Sequence, residues 1–383
     1  MRGMRQRNYV GYDAVAAMAV HIGDAPRFNP RVVFTDDIPE SRWRKRNAGA
    51  FLRLLRRFYR DAHCEEFFRE QRQRYEMAER IFDDALEDID TDWFAAYFGR
   101  EAADRFHIVI GLGNGGNCYG PRVVFPDGVS DVYALMGVWE VDAAGEPVFP
   151  AVVKNILIHE FGHSFSNPEV DAFLTELESA GRKIFDHVGD IMKQQAYNNG
   201  GTVMRESMVR ATVLRYLVAH GDTVGVHQQM LEEFGRGFLW VDHLSALLEI
   251  YERDRAQYPT MSDFMPRVVD FFNDEVVAYC ENPPRIVSVD ELSDGRVDPS
   301  HKTLTIRFDR PMMRDRFGFN LVENSLFPIS SRSIVYSEDG KAVTVPVDLR
   351  PDAEYGFSMP SIGFVSSDGW PIAETPITFR TGE

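Results

Sequence analysis

Cysteine is nearly missing from this chain: Cys64, Cys118 and Cys280 are the three among 383 residues. So sparse and odd a set builds no disulfide framework, and there is no CxxC to hold zinc or run redox chemistry. The three read as small buried hydrophobes, with one pair at most available for a disulfide. Long apolar runs are lacking too. None approaches the roughly 20 residues that a membrane helix needs, so no transmembrane segment is expected. Basic charge is in deficit: 42 Lys and Arg against 59 Asp and Glu leave −17. A chain this acidic repels phosphate backbones, which argues against nucleic acid as a partner. What remains is ordinary globular composition, 44% hydrophobic and 26% charged, over a length that calls for two or three domains.

Arg2, Arg5 and Arg7 ahead of the apolar run Ala14–Val20 imitate the start of a secretory signal. Asp13 and His21 bracket that run, however, and no small-residue cleavage site follows, so no address is legible there. From about Arg42 to Arg100 the pattern is helical, with Phe51, Leu54, Leu55 and Phe58 at helical spacing and Arg53, Arg56, Arg57 and Arg60 on other faces. This reads as a surface helix balanced by acids elsewhere. Asp88, Asp90 and Asp92 have calcium-loop spacing, but Trp93 and Gly99 stand where an EF-hand needs Gly and Glu.

Between residues 106 and 140 the period drops to two, and FHIVI, PRVVF and DVYALMGVW read as short strands. Gly111, Gly113 and Gly116 fit G-x-G-x-x-G, yet a dinucleotide site requires a helix to open there, and Gly120-Pro121 and another strand follow. A flexible hairpin loop is the expectation. Helical texture returns from Pro150 to about Phe272, with breaks expected at Ser166-Asn167-Pro168, 198–201, Gly221-Asp222 and Tyr258-Pro259. At Asn282-Pro283-Pro284 it stops. Thr303–Phe308, Ser333–Tyr336, Ala342–Val345 and Thr375–Phe379 then read as strands, with turns at Asp339-Gly340 and Asp368-Gly369, the pattern of a β-sandwich. The expected domains are 1–282 and 284–383.

The chemistry concentrates in Ile156-Leu-Ile-His159-Glu160-Phe-Gly-His163-Ser-Phe165. On a helix His159 and His163 stand one turn apart on one face, where both imidazoles reach a single metal ion. Glu160 is rotated by about 100°, beside that ion and able to take a proton from water. This is the H-E-x-x-H arrangement of zinc hydrolases. At this histidine content, chance would produce it roughly once in fifty chains of this length.

A catalytic zinc needs a third protein ligand. Glu169 lies six residues past His163, where a longer H-E-x-x-H pattern places that ligand, but Ser166 replaces its turn-making Gly. Glu206, in Met204-Arg-Glu-Ser-Met-Val-Arg210, lies 43 residues past His163 on a separate expected helix. That resembles the gluzincin plan, and Glu206 is the favoured ligand. Arg210, four residues on, would orient it or bind a substrate carboxylate. Tyr197, in the turn before this helix, is the candidate donor to a tetrahedral oxyanion, and strand 121–125 a candidate edge for an extended peptide.

The stretches ILIHEFGHSFSNP, QAYNN, MRESMVRA and DFMPRVVDFFN resemble an uncharacterised bacterial family, a domain of unknown function regarded as metallopeptidase-like and related to the gluzincins. The resemblance runs from about Tyr9 to Asn282. It implies His159, His163 and Glu206 as metal ligands and Glu160 as base, and supplies no substrate. Members usually carry more residues before a segment like GYDAVAAMAVHI and have export signals, which implies a secreted or cell-envelope location. PRIVSVDELSDGRVDPSHKTLTIRFDRPM resembles the opening of bacterial Ig-like domains, which implies contact with the envelope.

The expectation is therefore an α+β chain: a mostly helical, zincin-like domain with a small sheet, then an Ig-like β-sandwich, hydrolysing peptide or protein substrates with one Zn2+. Two rivals stand beside it. One is an envelope-binding or structural protein that keeps the fold with little proteolysis; the other is a zinc hydrolase of a non-peptide amide or ester.

Overall fold

The computed structural model describes residues 10–86, 89–100, 104–150 and 152–382. Arg2, Arg5, Arg7, Tyr9 and Asp88, which enter the patterns above, lie outside these. The architecture is mixed α+β, and the chain divides into two compact units. One holds the residues up to Ala172 together with Asp254–Asp263; the other holds Phe173–Arg253 and the chain from Phe264 onward. Among the described residues no helix is long and apolar enough to cross a membrane.

The first unit begins with α1 (Asp13–Val20), followed by α2 (Arg44–Asp61), α3 (Cys64–Glu70), α4 (Arg72–Ala85) and α5 (Asp92–Phe98). In α2 the buried residues are Ala48 and Leu52, whereas Leu54 and Phe58 are 57% and 62% exposed. The expected apolar stripe is thus displaced: Ala48 and Leu52, with Phe51 packed alongside, join Val10, Ala14, Met18, Phe34 and Trp43 in one core. Gly99 ends α5 at φ +69°, and a Cβ there would stand 2.4 Å from the Pro259 carbonyl oxygen. Arg255 donates to the carbonyls of Tyr97 (2.8 Å) and Ala96 (3.1 Å), satisfying acceptors that a helix C-terminus leaves open.

Strands β1 (Arg105–Ile110), β2 (Arg122–Val124) and β3 (Ser130–Met136) form a sheet in the order β1-β3-β2, while β4 (Glu140–Val141) and β5 (Pro147–Val148) make a separate ribbon. The loop 111–120 is therefore not a hairpin, contrary to expectation. β1 pairs with β3 in parallel and β2 with β3 antiparallel, so the hairpin is β2–β3, turning at Gly128 with φ +87°. Central β3 is buried on both faces, as a middle strand requires. Helix α6 (Val153–Ala172) carries the H-E-x-x-H residues. Its Phe161 and Phe165 pack on Phe94 and Phe98 of α5 and Phe106 of β1, with centroids 4.9–6.3 Å apart. Fully burying each such ring contributes about 1.5–3 kcal/mol.

No break occurs at 166–168: α6 runs on through Pro168. Proline there removes the bond to the Ser164 carbonyl, and Arg122 Nη1 donates to that oxygen instead, at 2.8 Å. Arg100 Nη2 also donates to the next carbonyl, Phe165, at 3.3 Å.

The second unit starts with α7 (Leu174–Gln194) and α8 (Gly200–Ala219), which approach so closely that a Cβ on Gly200 would stand 2.3 Å from the Gly181 backbone. Every residue of α8 from Glu206 to Leu217 is buried, because α7, α9 (Thr223–Gly235) and α10 (Val241–Arg253) surround it. α11 (Met261–Asp270), which starts in the first unit, passes through a π-turn at Phe271–Val276 into α12 (Val277–Glu281).

Strands follow at once: β6 (Ile286–Val289), β7 (Arg296–Val297), β8 (Thr303–Phe308), β9 (Asn320–Leu321), β10 (Val335–Tyr336), β11 (Ala342–Pro346), β12 (Glu354–Met359) and β13 (Thr375–Thr381). They form two four-stranded sheets, β10-β11-β8-β6 and β7-β13-β12-β9. Alternate residues of both, among them Leu304, Ile306, Val343, Val345, Phe357 and Phe379, belong to one core. Within the same unit the Trp370 indole lies flat between two rings, His243 of α10 at 3.9 Å and Tyr279 of α12 at 4.6 Å. Of the cysteines only Cys280 is fully buried, and all three are free thiols.

Candidate metal centre

The histidines of α6 are both half-buried, with ring centroids 4.6 Å apart and planes at 86°. The helix places them as the four-residue spacing requires. His163 Nδ1 lies 3.3 Å from Asn167 Oδ1. With that oxygen as acceptor, Nδ1 carries the proton and Nε2 keeps the lone pair a metal would use. Glu160 between them is buried, at 7% exposure. Gly120 lies against its backbone, where an added Cβ would stand 2.0 Å from the Glu160 carbonyl oxygen. The Cys118 thiol is pushed up to about 12, first by burial and then by the Glu160 charge, with the Gly137 N–H opposing. It is a poor nucleophile in this state.

Glu206 sits on buried α8 at 8% exposure. Its Oε2 accepts the Tyr197 hydroxyl at 3.0 Å and Arg210 Nη2 at 3.1 Å, and the same Nη2 reaches the Tyr197 oxygen at 2.9 Å. Burial, followed by the Glu206 charge, pushes the Tyr197 hydroxyl above its ordinary range. Arg210 Nη1 pairs with Glu233 Oε2, and Gln229 donates to the other Glu233 oxygen. Burial alone would lower the Arg210 guanidinium, but the charges of Glu233 and Glu206 outweigh it and hold the group above its ordinary range.

His159, His163 and Glu206 each offer one ligand atom, and these atoms all lie within 4.8 Å of one another. Around a tetrahedral ion with bonds of about 2.1 Å, ligand atoms stand about 3.4 Å apart. The donor set also suits a cation by charge. Arg210 is shared between two buried carboxylates, Glu206 and Glu233, and carboxylate and imidazole donors of this kind favour a cation. Glu169 is engaged otherwise: its Oε1 takes Arg100 Nη2 at 2.9 Å.

Sequence reasoning missed Glu233 and Gln229. Their spacing of four on α9 was a signal, but nothing local tied them to Arg210.

Residues 11–271 match the family described as Domain of unknown function (DUF4932). No curated protein matches the chain. Among solved structures, CopC from Methylosinus trichosporium OB3b is similar at 14% identity over 26% of this chain and 93% of that one, with a TM-score of 0.20. The surface layer protein SbsC, domains 1-6, is similar at 15% identity over 64% of this chain and 35% of that one, with a TM-score of 0.21. Likenesses this low carry no argument about fold or function.

Proposed function

The chain belongs to the family Domain of unknown function (DUF4932), whose description names no activity, and from its own residues we propose that it is a zinc-dependent peptidase. The observation that carries the proposal is the convergence of His159, His163 and Glu206 with Glu160 next to a ligand on the same helix. Two imidazoles and one carboxylate are the ligand set of hydrolytic zinc sites, with a position left for water. A bound zinc would supply Lewis acidity and a water acidified toward neutrality.

The chain's own residues do the rest. Glu160 takes the water's proton on its carboxylate and hands it to the leaving amine. Tyr197, polarised by Arg210, is the donor proposed for the developing oxyanion, and it would leave Glu206 Oε2 to act there. Segment 121–125 is the proposed edge for an extended peptide. In the same reading residues 1–282 are a zincin-like domain and 284–383 an Ig-like module in contact with the cell envelope, on a secreted or envelope-bound protein.

The test is metal content followed by cleavage. Purified protein should carry one zinc per chain, cleave members of a broad peptide library, and lose that cleavage in Glu160→Gln while keeping the zinc. A chain with no stoichiometric zinc would sink the reading. Zinc without peptide cleavage would favour the envelope-binding protein or a hydrolase of another amide or ester. Cleavage undiminished in Glu160→Gln would remove Glu160 as the base.

A further inference from the structure

Glu233 is the most deeply buried carboxylate beside the candidate centre, at 0% exposure. It lies on α9, and its side chain reaches across to Arg210 of α8. One oxygen takes Arg210 Nη1 and the other takes Gln229 Nε2. Its own backbone carbonyl accepts the Phe238 N–H at 2.9 Å, and the Phe238 ring lies under the Arg210 guanidinium at 4.4 Å. Arg210 is thus held from two sides, by charge from Glu233 and by a ring face from Phe238. The rest of its fork, Nη2, spans Glu206 Oε2 and the Tyr197 oxygen.

As a stabiliser this group is a poor choice. Two buried carboxylates and a guanidinium must all be stripped of water, and well-packed apolar residues commonly serve a fold as well or better. What the arrangement does provide is a fixed direction for the Glu206 carboxylate and a division of the Arg210 charge. Were Arg210 paired with Glu206 alone, the guanidinium would neutralise that carboxylate and compete with any cation for it. Glu233 occupies Nη1, so the Arg210 charge is shared between two carboxylates and is not matched by Glu206 alone.

We infer that Glu233 is a positioning residue of the metal centre, acting through Arg210 to orient Glu206 and to keep its charge available to a divalent cation. The inference rests on reading Glu206 as a ligand. It predicts a loss of metal affinity without loss of the fold. Substitutions of groups that hold a ligand typically weaken metal binding about 10- to 100-fold.

The experiment measures zinc affinity of the full chain by competition with a chromophoric chelator. The absorption spectrum of the cobalt-loaded protein and a thermal melt of each metal-free variant are recorded alongside. Glu206→Gln should weaken zinc, and Glu233→Gln should weaken it by about 10- to 100-fold and shift the cobalt spectrum while melting as a folded protein. Glu252→Gln, which removes the charge of the α10 carboxylate that pairs with Arg215 on the far part of α8 (2.7 Å), should leave zinc unchanged. If Glu206→Gln binds zinc like wild type, the reading of Glu206 itself is wrong. If Glu206→Gln is weakened and Glu233→Gln is not, the reading survives and the positioning role is overturned. Should Glu233→Gln fail to fold, the double variant Arg210→Met with Glu233→Leu removes the clamp and keeps the volume filled. Wild-type zinc affinity and an unshifted cobalt spectrum in that variant would overturn the role equally.

Discussion

Gly120 lies against the backbone of Glu160 with no room for a side chain: a Cβ there would stand 2.0 Å from the Glu160 carbonyl oxygen and 2.8 Å from its carbonyl carbon. Neither atom is the end of a flexible side chain, so Gly120→Ala must push loop and helix apart. We expect a loss of about 1–3 kcal/mol in urea unfolding, together with faster hydrogen exchange in residues 118–122. Gly113→Ala, where an added Cβ meets nothing within 4 Å, should change stability far less. Equal effects of the two would refute the close approach.

Arg122 and Pro168 form a pair that only their combined removal reveals. Arg122→Met leaves the buried Ser164 carbonyl without a donor, a loss of about 1–3 kcal/mol. In a Pro168→Ala background the restored N–H at 168 can bond that oxygen, and the same substitution should cost markedly less. A double-mutant cycle by chemical denaturation checks this, and strictly additive effects would count against it.

Asp131 sets an acid limit on the first unit. Burial pushes its carboxyl up, but hydrogen bonds from Arg31, Arg105 and His107 outweigh this and hold it at about 2, below the ordinary 3.8. A lowered folded value means stability that is present above about pH 4 and lost as pH falls toward 2. The shift corresponds to about 2 kcal/mol. Stability against pH should fall over that window in the wild type and be flatter in Asp131→Asn.

The stack of His243, Trp370 and Tyr279 carries a pH dependence of the opposite sign. Burial would lower the His243 imidazole, but the Asp242 carboxylate, the Asp368 carbonyl and the Glu275 charge together raise it. A raised folded value means stability fully present below about pH 6.5 and lost as pH climbs through the folded value. The melting temperature of the second unit should therefore decline from mild acid toward alkaline pH, and His243→Gln should remove that decline. Trp370→Ala should cost about 2–3 kcal/mol from lost ring contacts and burial, and a loss below half a kilocalorie would show the stack to be idle.

The sequence disclosed what local spacing can encode. His159 and His163 share a face because four residues make one helical turn, and Glu206 lies on the buried helix that its apolar neighbours implied. Strands at Thr303–Phe308 and near Thr375–Phe379 stand where alternation placed them. What stayed hidden depends on partners far along the chain. Pro168 marks a helix end in any local reading, and the guanidinium that lets α6 continue comes from Arg122 on β2. The glycine-rich loop reads locally as a hairpin, and only β3 lying between β1 and β2 makes it a crossover. Glu233 resembles the surface acid of an ordinary amphipathic helix until Arg210 is set beside it.

Arg255 caps α5 by binding the carbonyls of Ala96 and Tyr97, and this has a consequence in time. A ribosome builds α5 long before it reaches the arginine that finishes the helix. At synthesis rates of about 5–20 residues per second, the gap is on the order of ten seconds. Through that interval the first unit lacks Asp254–Asp263, and Gly99 faces no Pro259. Nascent chains arrested before Arg255 should therefore hold α5 loosely and be cut there by protease, and chains arrested well past Asp263 should not.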